Sequence, residues 1–183
     1  MTLALVAVFA TAMSTTYAQA KPGKAQNGSA TKHHINRGVK PTLDADHLAI
    51  KQVSKDCRAA ERLMKAALPI YEGHRHKAME INKVSIQFLA EAFRWVPGAP
   101  SKPFNVQQLL SKIGDGNEVS ASKYSSSEVA RSQELMKKAL AQLQKARTDL
   151  SKVQGAYGGY IGEAGQLIDL SIQEAMAALN VRR

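Results

Sequence analysis

Tyr71-Glu72-Gly73-His74-Arg75 and, further on, Tyr157-Gly158-Gly159-Tyr160-Ile161 decide how this chain folds. A shift of 86 residues places Tyr71 on Tyr157, Gly73 on Gly159 and Ala78 on Ala164. The same shift places Ser85-Ile86-Gln87 on Ser171-Ile172-Gln173 and Ala92 on Ala178. Each segment lies at the midpoint of a long helix-forming stretch, so the pattern reads as an internal repeat of helix, Tyr-x-Gly, helix.

Outward from these midpoints the apolar residues recur at sevens. Leu43, Ile50, Cys57 and Met64 form one row, and Val129, Met136, Leu143 and Leu150 another. That spacing gives each helix one apolar stripe of coiled-coil type. Ala78, Ile81, Val84, Phe88, Leu89 and Ala92 continue the pattern after the first midpoint. Ala164, Leu167, Ile168, Ile172, Ala175 and Leu179 do so after the second. Pro69 would break a helix by removing a backbone hydrogen bond, and the glycines around Gly158 would weaken one. Tyr71, Gly73, Tyr157 and Gly159 are therefore the expected structural turn residues.

An all-α, four-helix bundle of two duplicated helical hairpins follows, with hairpins over residues 42–95 and 126–181 and a long connection over 96–125. Its short–long–short connections match the ferritin-like bundle order. The alternative is two kinked helices of about 52 residues each, forming one antiparallel hairpin roughly 75 Å long. Helix starts are expected near Leu43, capped by Thr42 or Asp44, and at Ser125-Ser126-Ser127-Glu128, a capping box. Val106, Leu109, Leu110 and Ile113 make a short amphipathic piece within the connection. Asp115-Gly116-Asn117-Glu118 begins like a calcium loop but has Val119, Ser120 and Ser126 where ligands and glycine belong, so it reads as a turn.

Residues 1–20 read as a secretory signal peptide. Leu3 to Ala10 is an apolar core and Ala18-Gln19-Ala20 a cleavage site, although the preceding residues carry no Lys or Arg. An exported protein, periplasmic or extracellular, is expected. The net charge of +10 is uneven. Residues 21–41, read as a disordered basic linker, carry Lys21, Lys24, Lys32, Arg37 and Lys40 and no acid, whereas residues 43–181 are nearly balanced. Such a tail suits an anionic surface or an envelope protein as partner. Nucleic acid is not expected, for want of aromatic interleaving, zinc spacing or a recognition helix.

One cluster could carry chemistry. Glu72, His74 and His76 would converge on zinc, copper or nickel if the segment were a turn, with His33 and His34 as helpers. In a helix, residues two apart point about 200° apart and cannot share an ion. No nucleotide loop, nucleophile elbow, zinc-protease motif or Glu-x-x-His di-iron set occurs, so a non-enzymatic structural or interaction protein is expected. Cys57, inside its apolar row, reads as a buried structural thiol.

Tyr71-Glu72-Gly73-His74-Arg75, flanked by Leu-rich helices behind a signal peptide, resembles the Gly-Gly-His-Arg turn of small exported bacterial helical proteins of unassigned function. Glu72 stands where that turn has its first glycine. The second copy keeps both glycines and has Tyr160 and Ile161 in place of His and Arg. The resemblance implies export and a helical repeat, and no activity.

Overall fold

A computed structural model describes residues 40–99 and 104–181, with side chains from Ala45 onward. The expected signal peptide and all but the end of the basic segment 21–41 lie outside the described residues.

The chain forms α1 (Lys40–Ala66), α2 (His74–Arg94), α3 (Val106–Leu110), α4 (Ser126–Leu150) and α5 (Tyr160–Asn180), with no strand among the described residues. α1 begins before the caps expected at Thr42 or Asp44. Pro41, in its first turn, has a fixed φ that suits that place. α4 begins as its sequence requires: Ser125 Oγ accepts from the Glu128 N–H while the Glu128 carboxylate accepts from the Ser125 N–H. No described helix is long and apolar enough to cross a membrane.

Each long stretch turns back at its midpoint, so that α1 lies beside α2 and α4 beside α5 rather than running on as one kinked helix. α1 packs beside α2 and α4, and α5 packs beside α2 and α4. Asp56 of α1 pairs with Lys145 of α4, and Arg147 of α4 with Asp169 of α5. The start of α2 meets the end of α5 through His74 and Glu174, and the end of α2 meets the start of α5 through Trp95 and Tyr157. α2 and α5 are therefore antiparallel. The connection returns along α2: Phe104 packs on Phe88, and Asp115 reaches Lys77 in the first turn of the helix.

Most of the heptad rows is core, with Val129 half-buried and the Leu43 side chain outside the described residues. Ile50, Val53, Cys57, Ala60 and Met64 on α1, and Met136, Ala139, Leu143, Ala146 and Leu150 on α4, are all buried. Two apolar clusters result, one around Tyr157 and one around Tyr71. A thin polar layer lies at mid-bundle. Asn82 Nδ2 donates to the Cys57 carbonyl at 2.9 Å, Ser85 Oγ to the Asn82 carbonyl at 2.7 Å, and Ser171 Oγ to the Ala78 carbonyl at 2.8 Å. The buried stripe of α2 thus runs through Asn82 and Ser85. Val84 and Phe88, expected on it, are only half-buried. Small polar side chains can occupy the core here because helix carbonyls satisfy their donors.

Candidate functional site

The turn after α1 is built from groups that would otherwise lack partners. Tyr71 donates its backbone N–H to Glu118 Oε2 at 2.7 Å, and the Pro69 carbonyl accepts from the Val119 N–H at 2.7 Å. The Leu68 N–H donates to Ser132 Oγ at 2.9 Å, and the Tyr71 hydroxyl lies 2.7 Å from the same oxygen. Arg75 donates to the Met64 carbonyl at 2.9 Å and stands beside Glu118. The 115–119 segment is thus clamped onto the turn. Asp115 lies against Gly73, leaving no room for a Cβ, and the His76 ring lies against Gly116.

Glu72, His74 and His76 do not come together. The turn occupies residues up to Gly73, and His74 and His76 are the first and third residues of α2, so they leave the helix on different sides. His74 Nδ1 is 2.7 Å from Glu174 Oε2 on α5, and Glu72 is exposed. Among the described residues no three His, Cys, Asp or Glu side chains are grouped to hold a metal. The expected zinc, copper or nickel set is therefore dispersed by the helix start at His74.

The turn after α4 has the same backbone at two positions. Glu72 (φ 51°) and Gly73 (φ 87°) correspond to Gly158 (φ 60°) and Gly159 (φ 85°). The His74 N–H donates to the Tyr71 carbonyl, and the Tyr160 N–H to the Tyr157 carbonyl. The tyrosines differ, since only Tyr157 itself has a positive φ. Here the acceptor is Asp46 of α1, which receives the N–H groups of Gln154 and Gly155 and the Tyr157 hydroxyl.

Asp46 and Ser132 are 86 residues apart, as are Leu68 and Gln154, and Tyr71 and Tyr157. Each hairpin's turn is therefore held by the same position on the first helix of the other hairpin. The change of residue type has a physical reason. Pro69 stands where Gly155 donates, so Ser132 Oγ has two hydrogen-bond partners and the Asp46 carboxylate three. The Asp46 carboxylate also holds the Tyr157 phenol proton more firmly, adding to burial in raising that group's pKa.

Burial pushes the Cys57 thiol up to about 12, with Ser85 working in the other direction. The group is thus held as a neutral thiol in the core.

A groove runs between α1 and α2. One stretch encloses about 430 Å³ over Ile50, Leu89, Ala90 and Phe93. It continues past Arg58 into a second stretch of about 360 Å³ that reaches Lys65 and Lys83. Lys51, Lys55, Arg58, Arg62 and Lys65 line its α1 side, all exposed. None of these five forms an ion pair among the described residues. Glu61 is the one carboxylate lining either stretch. Sequence reasoning passed over this row because it was summed into a balanced helical body. Its alternating three- and four-residue spacing was the available signal.

Compared with protein-family models, curated proteins and solved structures, the chain matches none.

Proposed function

We propose that this chain is an exported, non-enzymatic helical interaction protein of the cell envelope that offers its α1/α2 face to an anionic partner. The observation that carries this reading is the row Lys51, Lys55, Arg58, Arg62 and Lys65. Five exposed cations beside an apolar groove, with no ion-pair partner among the described residues, leave a complementary charge to be supplied from outside. By contrast, in the turn Tyr71–His76 the Tyr71 N–H, His74 and Arg75 bond within the fold.

The apolar run and cleavage pattern of residues 1–20 support export, and the acid-free segment 21–41 supports attachment to an anionic surface. The matching turns and the 86-residue correspondence support an origin of the two hairpins from one.

The test has two arms. Alkaline phosphatase fused after residue 41 should be active, and the mature chain should begin at Lys21. A cytoplasmic, uncleaved fusion would end the envelope reading. Adsorption of the chain to anionic vesicles at low salt should weaken when residues 21–39 are deleted, and should be lost when Lys55→Glu/Arg58→Glu/Arg62→Glu is added to that deletion. Undiminished adsorption would remove the tail from it.

A further inference from the structure

The row on α1 is regular as well as basic. Lys51, Lys55, Arg58, Arg62 and Lys65 are separated by four, three, four and three residues, and Leu48 extends the row at its start. This is the spacing of one edge of a helix in a heptad pattern, and the five charges span about 21 Å. Inside this edge lies the groove floor, where Ile50 and Leu89 are sealed and Phe93 remains 48% exposed. Leu48, at the same end of the groove as Phe93, is 69% exposed. On the α2 side, Arg94 and Lys83 stand across from the row, each with a carboxylate of its own helix one turn away, Glu91 and Glu80. The charge asymmetry of the groove thus falls on its α1 edge.

Resting on the reading of the chain as an interaction protein, we propose that this groove seats an acidic amphipathic helix. Its apolar face would lie over Phe93, Ala90 and Ile86. Its carboxylates, recurring at three- and four-residue intervals, would face the α1 row. A helix laid in a groove presents apolar side chains at i, i+3, i+4 and i+7, and charges flanking that seam set register and partner choice. A featureless polyanion would use the cations but gain nothing from the apolar floor. A helix uses both, and that is why the geometry favours it.

The probe is a fluorescent designed peptide of about 21 residues, with a leucine seam flanked by glutamates at heptad spacing, titrated into the full chain by anisotropy. Binding should weaken about tenfold or more in Lys55→Glu/Arg58→Glu/Arg62→Glu, and also as salt is raised from about 50 to about 300 mM. Phe93→Ala should weaken it severalfold, and a peptide of the same composition with scrambled order should bind about tenfold more weakly. All four substituted side chains are exposed, so circular dichroism should show the fold retained. Equal binding of the scrambled peptide, or indifference to Phe93→Ala, would overturn the proposal. If inorganic polyphosphate binds through Arg58 and Arg62 while the peptide does not, the helix is wrong and the anionic-partner reading survives. If neither binds, both fall.

Discussion

The Tyr71 hydroxyl lies 2.7 Å from the Ser132 hydroxyl at a buried site, tying the turn of the first hairpin to the first helix of the second. Asp46 and Tyr157 make the matching tie at the other end of α1. The two differ in burial: Ser132 is 2% exposed, whereas the Asp46 bonds to Gln154 and Gly155 lie at the surface.

That difference sets the relative cost of removing each. Ser132→Ala removes the acceptor of the Leu68 N–H and one partner of the buried Tyr71 hydroxyl, and should cost about 2 kcal/mol. Asp46→Ala frees more donors, but water can reach its backbone bonds, so about 1 kcal/mol is expected. The sites lie at opposite ends of the bundle, so the double variant should show the sum to within about 0.5 kcal/mol. Urea unfolding checks all three. A costlier Asp46→Ala would contradict this ranking.

Gly73 and Gly159 share a backbone conformation and differ in surroundings. A Cβ at Gly73 would meet Asp115 Cβ at 2.9 Å and its backbone at 3.0 Å, whereas one at Gly159 would meet nothing within 4 Å. Gly159→Ala should cost only the left-handed strain, about 1 kcal/mol. Gly73→Ala should cost about 3 kcal/mol, because the 115–119 clamp must also move. Equal midpoint shifts in denaturant would show that Asp115 yields freely.

Glu72 holds φ 51° where the second turn has Gly158. Glu72→Gly should relieve about 1–2 kcal/mol of strain and give back about 0.5–1 kcal/mol through the more flexible unfolded chain. The net expectation is a small gain, about 0.5 kcal/mol, read as a rise in melting temperature. A fall would show that the exposed carboxylate contributes to the turn.

The Cys57 thiol gives a pH signature. The unfolded chain loses this proton above pH 9.0, whereas the folded chain keeps it to about 12. Unfolding is then favoured as pH rises between these values, by up to about 1.4 kcal/mol per pH unit. Cys57→Ala should be less stable at pH 7 through lost packing, yet should lose stability less steeply from pH 9 to 12. Parallel curves for the two proteins would contradict the buried neutral thiol.

The sevenfold apolar rows were enough to read the helices and most of the core, and the two Tyr-x-Gly midpoints marked where each stretch bends without deciding between a turn and a kink. Asn82 and Ser85 escaped, because a polar residue is read as surface unless the carbonyl that accepts from it is known. Asp46 and Ser132 escaped because they differ in type, although Pro69 against Gly155 at the same shift accounts for the difference. Glu72, His74 and His76 were legible as a cluster of ligand types but not as a site. Their convergence depended on whether helix begins before or after Gly73. The hold of residues 115–119 on that turn could not be read at all, since it rests on contacts between segments far apart in sequence, such as Tyr71 and Glu118, 47 residues apart.

Because each hairpin carries the keeper for the other's turn, the backbone between them has a modest task. It brings the halves together, while recognition lies in their faces. A nick after Ala99 should therefore yield two pieces that find each other and restore the bundle, with Glu118, Asp115 and Ser132 of one piece closing over Tyr71 and Gly73 of the other. Such a pair would behave as a self-assembling split protein, with reporter halves attached at the nick reading out reunion.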